Sequence, residues 1–286
     1  MTAQIYCGER RIGALDPRDR GLAYGDGVFE TILMHRGTPV WWDAHLARMQ
    51  RGCDVLGIAA PGPHFLRAEV DSMASGCARG VLKIIVTRGV GERGYAPSSL
   101  GSPTVVLSLS SAPPSAPREG LRLRWCETPL AIQPRLAGIK HLGRLEQVLA
   151  RAEWNDADPG KPEIHDGLQC DTAGRVVSAI AANLFVLRDG RWLTPPVVAC
   201  GIAGVCRGWI LDRVAESAEA ALTRDEVESA DAIVLCNAVR GILPVAALGS
   251  RRWSPSAETI ALRQRLAEAE PAFDPAHDSQ DSSEDA

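Results

Sequence analysis

The chain has 286 residues, 45% hydrophobic and 23% charged, with a formal net charge of −4. That is an ordinary soluble composition with room for two domains of usual size, and its acidic balance argues against a general binder of nucleic acid or other polyanions. No window approaches the apolar length of a membrane span, and the polar start Met-Thr-Ala-Gln is not a signal peptide, so a cytoplasmic protein is expected. Eight cysteines, at 7, 53, 77, 126, 170, 200, 206 and 236, form no Cys-x-x-Cys pair. Neither a metal site nor a redox motif is expected from them, and they read as small buried apolar groups.

In chain order, residues 4–13 read as a strand, a turn at Gly8-Glu9 and a return. A glycine-rich turn segment (Gly21, Gly25, Gly27) delivers the chain into a strand over Val28–His35. From Trp42 the pattern becomes helical, with Leu46, Met49, Cys53 and Leu56 on one face and Arg48 off that stripe. An arginine in such a place is usually solvated, although its fork also suits a phosphate. A second helix is expected over residues 64–78, then a strand over Gly80–Thr87. Gly89, Gly91 and Gly94 spell G-x-G-x-x-G, but Ala-Pro-Ser-Ser-Leu-Gly-Ser-Pro follows instead of a helix, so the stretch reads as a loop and not as a dinucleotide fingerprint. A strand over Thr104–Ser110 closes a small domain, 1–110, and the proline-rich stretch 111–120 reads as a linker.

The second domain is expected over 121–269. It opens with a strand over Leu121–Glu127, then a helix over Leu142–Trp154, a loop over Asp156–Lys161 and a strand near Gly167–Cys170. Strands over Val176–Ile180 and from Asn183 follow, with a hairpin turn at Asp189-Gly190. The run from Gly201 is a glycine loop opening a helix, either an ordinary helix start or, through its free amides and positive dipole end, an anion site. A buried strand from Ala232 ends in a polar turn at Asn237, and a last helix covers 257–269. Residues 270–286 are acidic, poor in large apolar groups, and expected to be disordered.

Only three of the 31 basic residues are lysines. Lys83 sits in a strand-like run where it can face water, and Lys161 lies between Gly160 and Pro162. Lys140 alone stands in an apolar segment, Leu136-Ala-Gly-Ile-Lys-His-Leu-Gly-Arg144. It reads either as a lysine whose stem packs on the core or as an amine whose pKa is lowered by burial, free to act as nucleophile or base.

The motifs Arg20-Gly-Leu-Ala-Tyr-Gly-Asp-Gly-Val-Phe-Glu-Thr31, His45-Leu-Ala-Arg48, Arg93-Gly-Tyr95, Gly138-Ile-Lys-His-Leu-Gly-Arg-Leu-Glu-Gln147, Ala182-Asn-Leu-Phe185, Gly204-Val-Cys-Arg207 and Asn237-Ala238 run in this order. Over roughly residues 4–250 the chain resembles the fold-type IV pyridoxal-phosphate enzymes. This class IV aminotransferase family holds branched-chain and D-amino-acid aminotransferases and aminodeoxychorismate lyases. The Lys140 motif is most similar to that of the lyases. The resemblance implies an α/β fold with a small two-layer N-terminal domain, a larger C-terminal domain of barrel-like β structure with helices, and a homodimer with the site in the cleft between domains. It implies that Lys140 carries pyridoxal 5'-phosphate, and that Arg48, the amides of Val205 and Cys206, and the pair Asn237 and Ala238 hold the phosphate.

The chain departs from the family pattern at two places. Gly143 stands where the lyase motif usually has Asn. Ser178 stands where the family has a glutamate that keeps the pyridine nitrogen protonated. A serine can hydrogen-bond that nitrogen but cannot hold a proton on it at neutral pH. Another acid then substitutes, the ring works neutral, or the chemistry is lost. The function the resemblance implies is a lyase converting 4-amino-4-deoxychorismate to 4-aminobenzoate and pyruvate. The alternatives are an aminotransferase of the same fold and an inactive relative that serves as a binding module. Arg93, Tyr95 and Arg240 are candidates for the substrate's two carboxylates, because guanidinium groups match carboxylates in a bidentate way; each could equally brace a loop.

Overall fold

The computed structural model describes residues 2–97, 101–154 and 163–274, and the chain divides into two compact units. The first comprises residues 1–113 and, returning from later in the chain, Ile139–Arg144. Its elements are β1 (Thr2–Cys7), β2 (Arg10–Ile12), α1 (Arg20–Tyr24), β3 (Gly27–His35), β4 (Thr38–Pro39), α2 (Trp42–Leu56), α3 (Pro63–Met73), β5 (Arg79–Thr87) and β6 (Thr104–Ser111). The strands form one antiparallel sheet in the order β2-β1-β6-β5-β3-β4.

Alternate residues of the long strands, such as Ile32 and Met34 on β3 and Leu82, Ile84 and Val86 on β5, are buried with Met49 and Cys53 of α2 and Leu66 and Val70 of α3. Each such side chain contributes about 1.5–3 kcal/mol by leaving water. Helix α3 ends at Met73, short of the expected 78, and Gly76 takes φ 79°, which continues no helix. Helix α1 was not legible, being five residues long, too short for a periodicity. It is made by Asp19, whose carboxylate accepts from Gly21 N at 2.8 Å, and is stopped by Gly25 in the left-handed region.

The second unit runs over Pro114–Gly138 and from Leu145 onward. It holds β7 (Leu121–Trp125), α4 (Leu145–Arg151), β8 (Asp166–Cys170), β9 (Val176–Ala179), β10 (Asn183–Arg188), β11 (Arg191–Thr194), α5 (Val205–Arg213), β12 (Ser217–Glu219), α6 (Arg224–Glu228), β13 (Ala232–Asn237), β14 (Gly241–Leu248), β15 (Arg251–Arg252) and α7 (Ala257–Ala269). Its mixed sheet follows the path β12-β11-β10-β13-β14-β7-β8-β9, with β15 on β14. The far end of that path returns toward β10, since Ala179 N donates to Ala182 O at 2.9 Å across the turn between β9 and β10. This gives the unit its barrel-like curl, closed over Leu121, Leu168, Leu184, Val186, Ile233 and Leu235. The Asp189-Gly190 hairpin forms as its sequence suggests, both residues having positive φ.

Three expectations are corrected. The Lys140 segment, expected in the second domain, packs with the first unit. The helix expected over 142–154 covers only Leu145–Arg151, because Leu142 N is taken by Gly27 O at 2.9 Å in a strand-like pairing. At the C-terminus, Pro271–Phe273 form a 3-10 turn with Ala272 buried, so order extends past 270. The loop expected over 156–161 and the tail from 275 lie outside the described residues.

Candidate active site

In the first unit the site begins with an edge. Strand β3 is paired on one side by β5 along its whole length, and on the other by β4 only at Met34 and His35. The open edge near Gly27 is taken by the Lys140 segment: Phe29 N donates to Lys140 O at 2.9 Å, and Val28 and His141 form an isolated antiparallel bridge. Gly27 permits this approach, since a Cβ there would lie 2.8 Å from Leu142 Cδ1 and 2.5 Å from Val86 O.

The Lys140 side chain is half-buried, with Nζ 4.3 Å from the centroid of the Phe29 ring. Burial pulls its pKa down to about 7, with Arg48, Arg144 and Lys83 pushing the same way and Glu30 opposing them. About half of such amines are neutral at pH 7, against fewer than one in a thousand for an ordinary lysine. The neighbouring His141 is pulled down to about 4, by burial first and then by Arg144, and is a neutral imidazole.

Behind Lys140 lies a buried ionic cluster. Glu30 of β3 is fully enclosed and accepts from Arg48 Nε at 2.8 Å, from Arg48 Nη2, and from His45 Nδ1 at 2.6 Å. Burial by itself would raise the Glu30 pKa, but the hydrogen bonds from Arg48 and His45 outweigh it and hold the carboxyl below its usual range. Burial lowers the His45 pKa, so its ring is neutral with Nδ1–H donating to Glu30, which leaves the buried Nε2 without a partner among the described residues. Of the two readings of Arg48, the solvated one does not hold: the residue is 5% exposed and two of its nitrogens are on Glu30.

In the second unit, Gly204 caps α5 in extended conformation with no side-chain cap, and no acidic residue stands in the first turn. The amides of Val205 and Cys206 therefore have no intrahelical acceptor, and the helix dipole is positive there. Gly204 is required, because a Cβ would sit 2.1 Å from Asn183 Oδ1, and Asn183 Nδ2 holds the preceding loop by donating to Ile202 O at 2.9 Å. The same loop pairs with Gly138, two residues before Lys140, through Gly138 N to Gly201 O and Ala203 N to Gly138 O. Cys206 packs against Cys236, and both thiols are buried and free. Asn237 turns the chain at the end of β13, its Oδ1 accepting from Val239 N at 3.0 Å and Arg240 N at 2.8 Å, with Ala238 buried beside it.

Ser178 lies on β9, half-buried, directly opposite Gln169 of β8. Arg240 donates to Pro114 O at 3.4 Å. Arg93 and Tyr95 are on an exposed loop of the first unit, Tyr95 being 85% exposed, and Arg20 pins that loop through the carbonyls of Gly94 and Tyr95. Sequence reasoning missed one contributor, Glu30, which read as an ordinary strand residue. Lys83, read as able to face water, is exposed, with its Nζ 5.2 Å from the Phe29 ring centroid that Lys140 also meets.

The profile of the class IV amino-transferase family matches residues 27–248. Aminodeoxychorismate lyase of Vibrio harveyi is 34% identical over 242 residues, covering 81% of this chain and 86% of the relative. The crystal structure of 4-amino-4-deoxychorismate lyase from Pseudomonas aeruginosa superposes with a TM-score of 0.85 at 42% identity, covering 93% of this chain and 99% of that one. A branched-chain aminotransferase from the archaeon Thermoproteus uzoniensis, solved with norvaline, has the same fold at 18% identity, with a TM-score of 0.79 over 96% of both chains. On these matches the chain belongs to the class IV amino-transferase family.

Proposed function

We propose that the chain is a pyridoxal-phosphate-dependent lyase that converts 4-amino-4-deoxychorismate to 4-aminobenzoate and pyruvate, an aromatic precursor of folate being the useful product, and that it does so in the cytoplasm. The observation that carries this reading is Lys140, an amine brought near neutrality at the edge of β3 in a chain 42% identical to a solved lyase over 93% of its length. The residues fit the cofactor at two places. Lys140 offers a nucleophilic amine, and the amides of Val205 and Cys206 offer an anion seat, with Asn237 and Ala238 assigned to its edge and Arg48 to the phosphate charge. By the resemblance, Ser178 takes the position of the family's acid at the pyridine nitrogen.

When bound, the cofactor supplies an electron-withdrawing ring conjugated to the substrate's amine. Lys140 Nζ, in its neutral form, removes the proton from the carbon that bears this amine. The enolpyruvyl oxygen leaves the adjacent carbon with the electron pair of its C–O bond, the ring becomes aromatic, and Lys140 returns a proton to the departing enolpyruvate as pyruvate. Protonated Lys140 is stabilised by the Phe29 face and by Glu30. Arg93, Tyr95, Arg240 and Lys83 are the candidates for the two substrate carboxylates. The test is an assay of purified protein with aminodeoxychorismate: 4-aminobenzoate and pyruvate should appear in equal amounts. Transfer of amino groups between amino and keto acids without either product would make the chain an aminotransferase, and no turnover at all would make it a binding protein.

The Lys140 pKa gives a pH dependence with a definite sign. A base is nucleophilic only when unprotonated, so attachment of pyridoxal phosphate to the cofactor-free protein should speed up as pH rises through about 7 and then level off. Borohydride trapping at timed intervals reads this rate; a rise that begins only near the ordinary lysine value, about 10.4, would contradict the assignment.

The same reading includes a homodimer. Leu145, Val148 and Leu149 of α4, spaced to share one face, are 76%, 61% and 59% exposed, an apolar strip that a second copy of the chain would cover. Wild type should sediment as a dimer at micromolar concentration, and Val148→Glu with Leu149→Glu should dissociate it. A monomeric wild type would remove the dimer from the account.

A further inference from the structure

The loop that carries Arg93 and Tyr95 has exposed side chains but a backbone held at both ends. Arg20 of α1, only 4% exposed, makes most of the ties. Its Nη1 donates to Gly94 O at 2.9 Å and its Nη2 to Tyr95 O at 3.2 Å, while its Nε donates to Asp26 Oδ2 at 2.8 Å. The guanidinium also lies 4.9 Å from the centroid of the Tyr24 ring. The Tyr24 hydroxyl accepts from Gly94 N at 3.2 Å, and its ring centroid is 5.5 Å from that of Tyr95. At the start of the loop, Arg20 N donates to Gly89 O at 2.9 Å and Gly91 N to Arg18 O at 3.3 Å.

Arg20 itself is held from behind. Asp26 also accepts from Arg88 Nε at 2.7 Å and Nη2 at 3.1 Å, and Arg88 donates in turn to the carbonyls of Leu56 and Gly57 at the end of α2. The chain of contacts thus runs from a helix packed in the core, through Arg88, Asp26 and Arg20, to the carbonyls of the loop. The glycines that spell G-x-G-x-x-G serve this arrangement and not a nucleotide. A Cβ at Gly91 would stand 2.6 Å from Arg20 Cδ, and Gly94 takes φ 100°, where a side chain is strained.

What the held backbone leaves open is the Arg93 side chain, which is exposed and has no hydrogen bond or ion pair among the described residues. Binding to a group on a mobile loop loses the free energy of ordering that loop, and a backbone already held loses less. Resting on the function proposed above, we propose that Arg20 is the positioning residue of the substrate site: by holding the carbonyls of Gly94 and Tyr95, it fixes the backbone from which Arg93 grips a substrate carboxylate. The planar fork is essential to this role. A lysine would keep a charge opposite Asp26, but its single ammonium cannot reproduce the spread of a guanidinium over one carboxylate and two carbonyls.

The test is steady-state kinetics of the cofactor-loaded protein with aminodeoxychorismate, beside hydrogen–deuterium exchange of the peptide spanning residues 89–97. Arg20→Lys should raise KM roughly 5- to 30-fold, as expected for the loss of one or two hydrogen bonds, with kcat changed less than about 2-fold. Gly91→Ala alters no functional group but crowds Arg20, so it should move KM the same way, and exchange should quicken in both variants. In an Arg93→Ala background, Arg20→Lys should add less than about 2-fold to KM, because a residue that acts through Arg93 has nothing left to act on. A full additional rise there, or quickened exchange with KM unchanged, overturns the inference while leaving the enzyme assignment intact. So does a fall in kcat and cofactor affinity alongside the rise in KM, which would make Arg20 a general brace of the fold. A wild type that turns over no aminodeoxychorismate overturns the assignment itself, and the inference with it.

Discussion

Replacement of Lys140 by methionine or alanine is expected to abolish turnover while making the protein more stable below neutral pH. The first effect removes the covalent anchor and the base together, and loss of a positioned base alone costs roughly 10²–10⁴-fold in rate. The second follows from the depressed pKa. A base whose folded pKa, about 7, lies below its unfolded value binds more protons in the unfolded state between the two. Wild-type stability therefore rises with pH across that window and carries its full penalty below it. A Lys140→Met variant escapes the penalty, so its advantage in chemical denaturation should be largest below about pH 7 and fade toward pH 10. An inactive variant that is also less stable at about pH 6 would mean that Lys140 is a packing residue.

Arg48→Ala is expected to fail in two ways that can be separated. It leaves Glu30 buried without its cation, which costs about 3–5 kcal/mol of fold stability in comparable pairs. If Arg48 also meets the phosphate, cofactor affinity falls by roughly 2–5 kcal/mol besides. Removing both charges, with Glu30→Gln and Arg48→Met, should recover most of the stability, because no uncompensated ion remains. Cofactor affinity should stay low in that double variant. Recovery of both together would assign Arg48 to the fold alone. The Glu30 partner carries its own signature: its folded pKa is depressed, so the stability it contributes is present above about pH 4.3 and is lost as pH falls through its lower folded value.

What the sequence disclosed divides along physical lines. Lys140 was conspicuous because arginine is the default cation of this chain, and a lone lysine in an apolar run is an electrostatic cost that needs a return. The glycine-led start of α5 was visible because helix starts have a local grammar, and Asn237 because a buried strand cannot end in a polar residue without a turn. The pairings made in space were not visible. Nothing local distinguishes Glu30 from any other strand carboxylate until α2 delivers Arg48 and His45 onto it. Likewise, Gln169 reads as a routine strand residue until the β8 and β9 register sets it opposite Ser178. The membership of Ile139–Arg144 in the first unit was hidden for the same reason, since it depends on an open edge of β3 more than a hundred residues earlier in the chain.

The most direct test of the whole account is to locate the cofactor. Purified protein loaded with pyridoxal phosphate, reduced with borohydride, digested and mapped by mass spectrometry should carry the phosphopyridoxyl mass on the peptide containing Lys140, at close to one per chain. Attachment at Lys83 or Lys161, or none after loading, would contradict it.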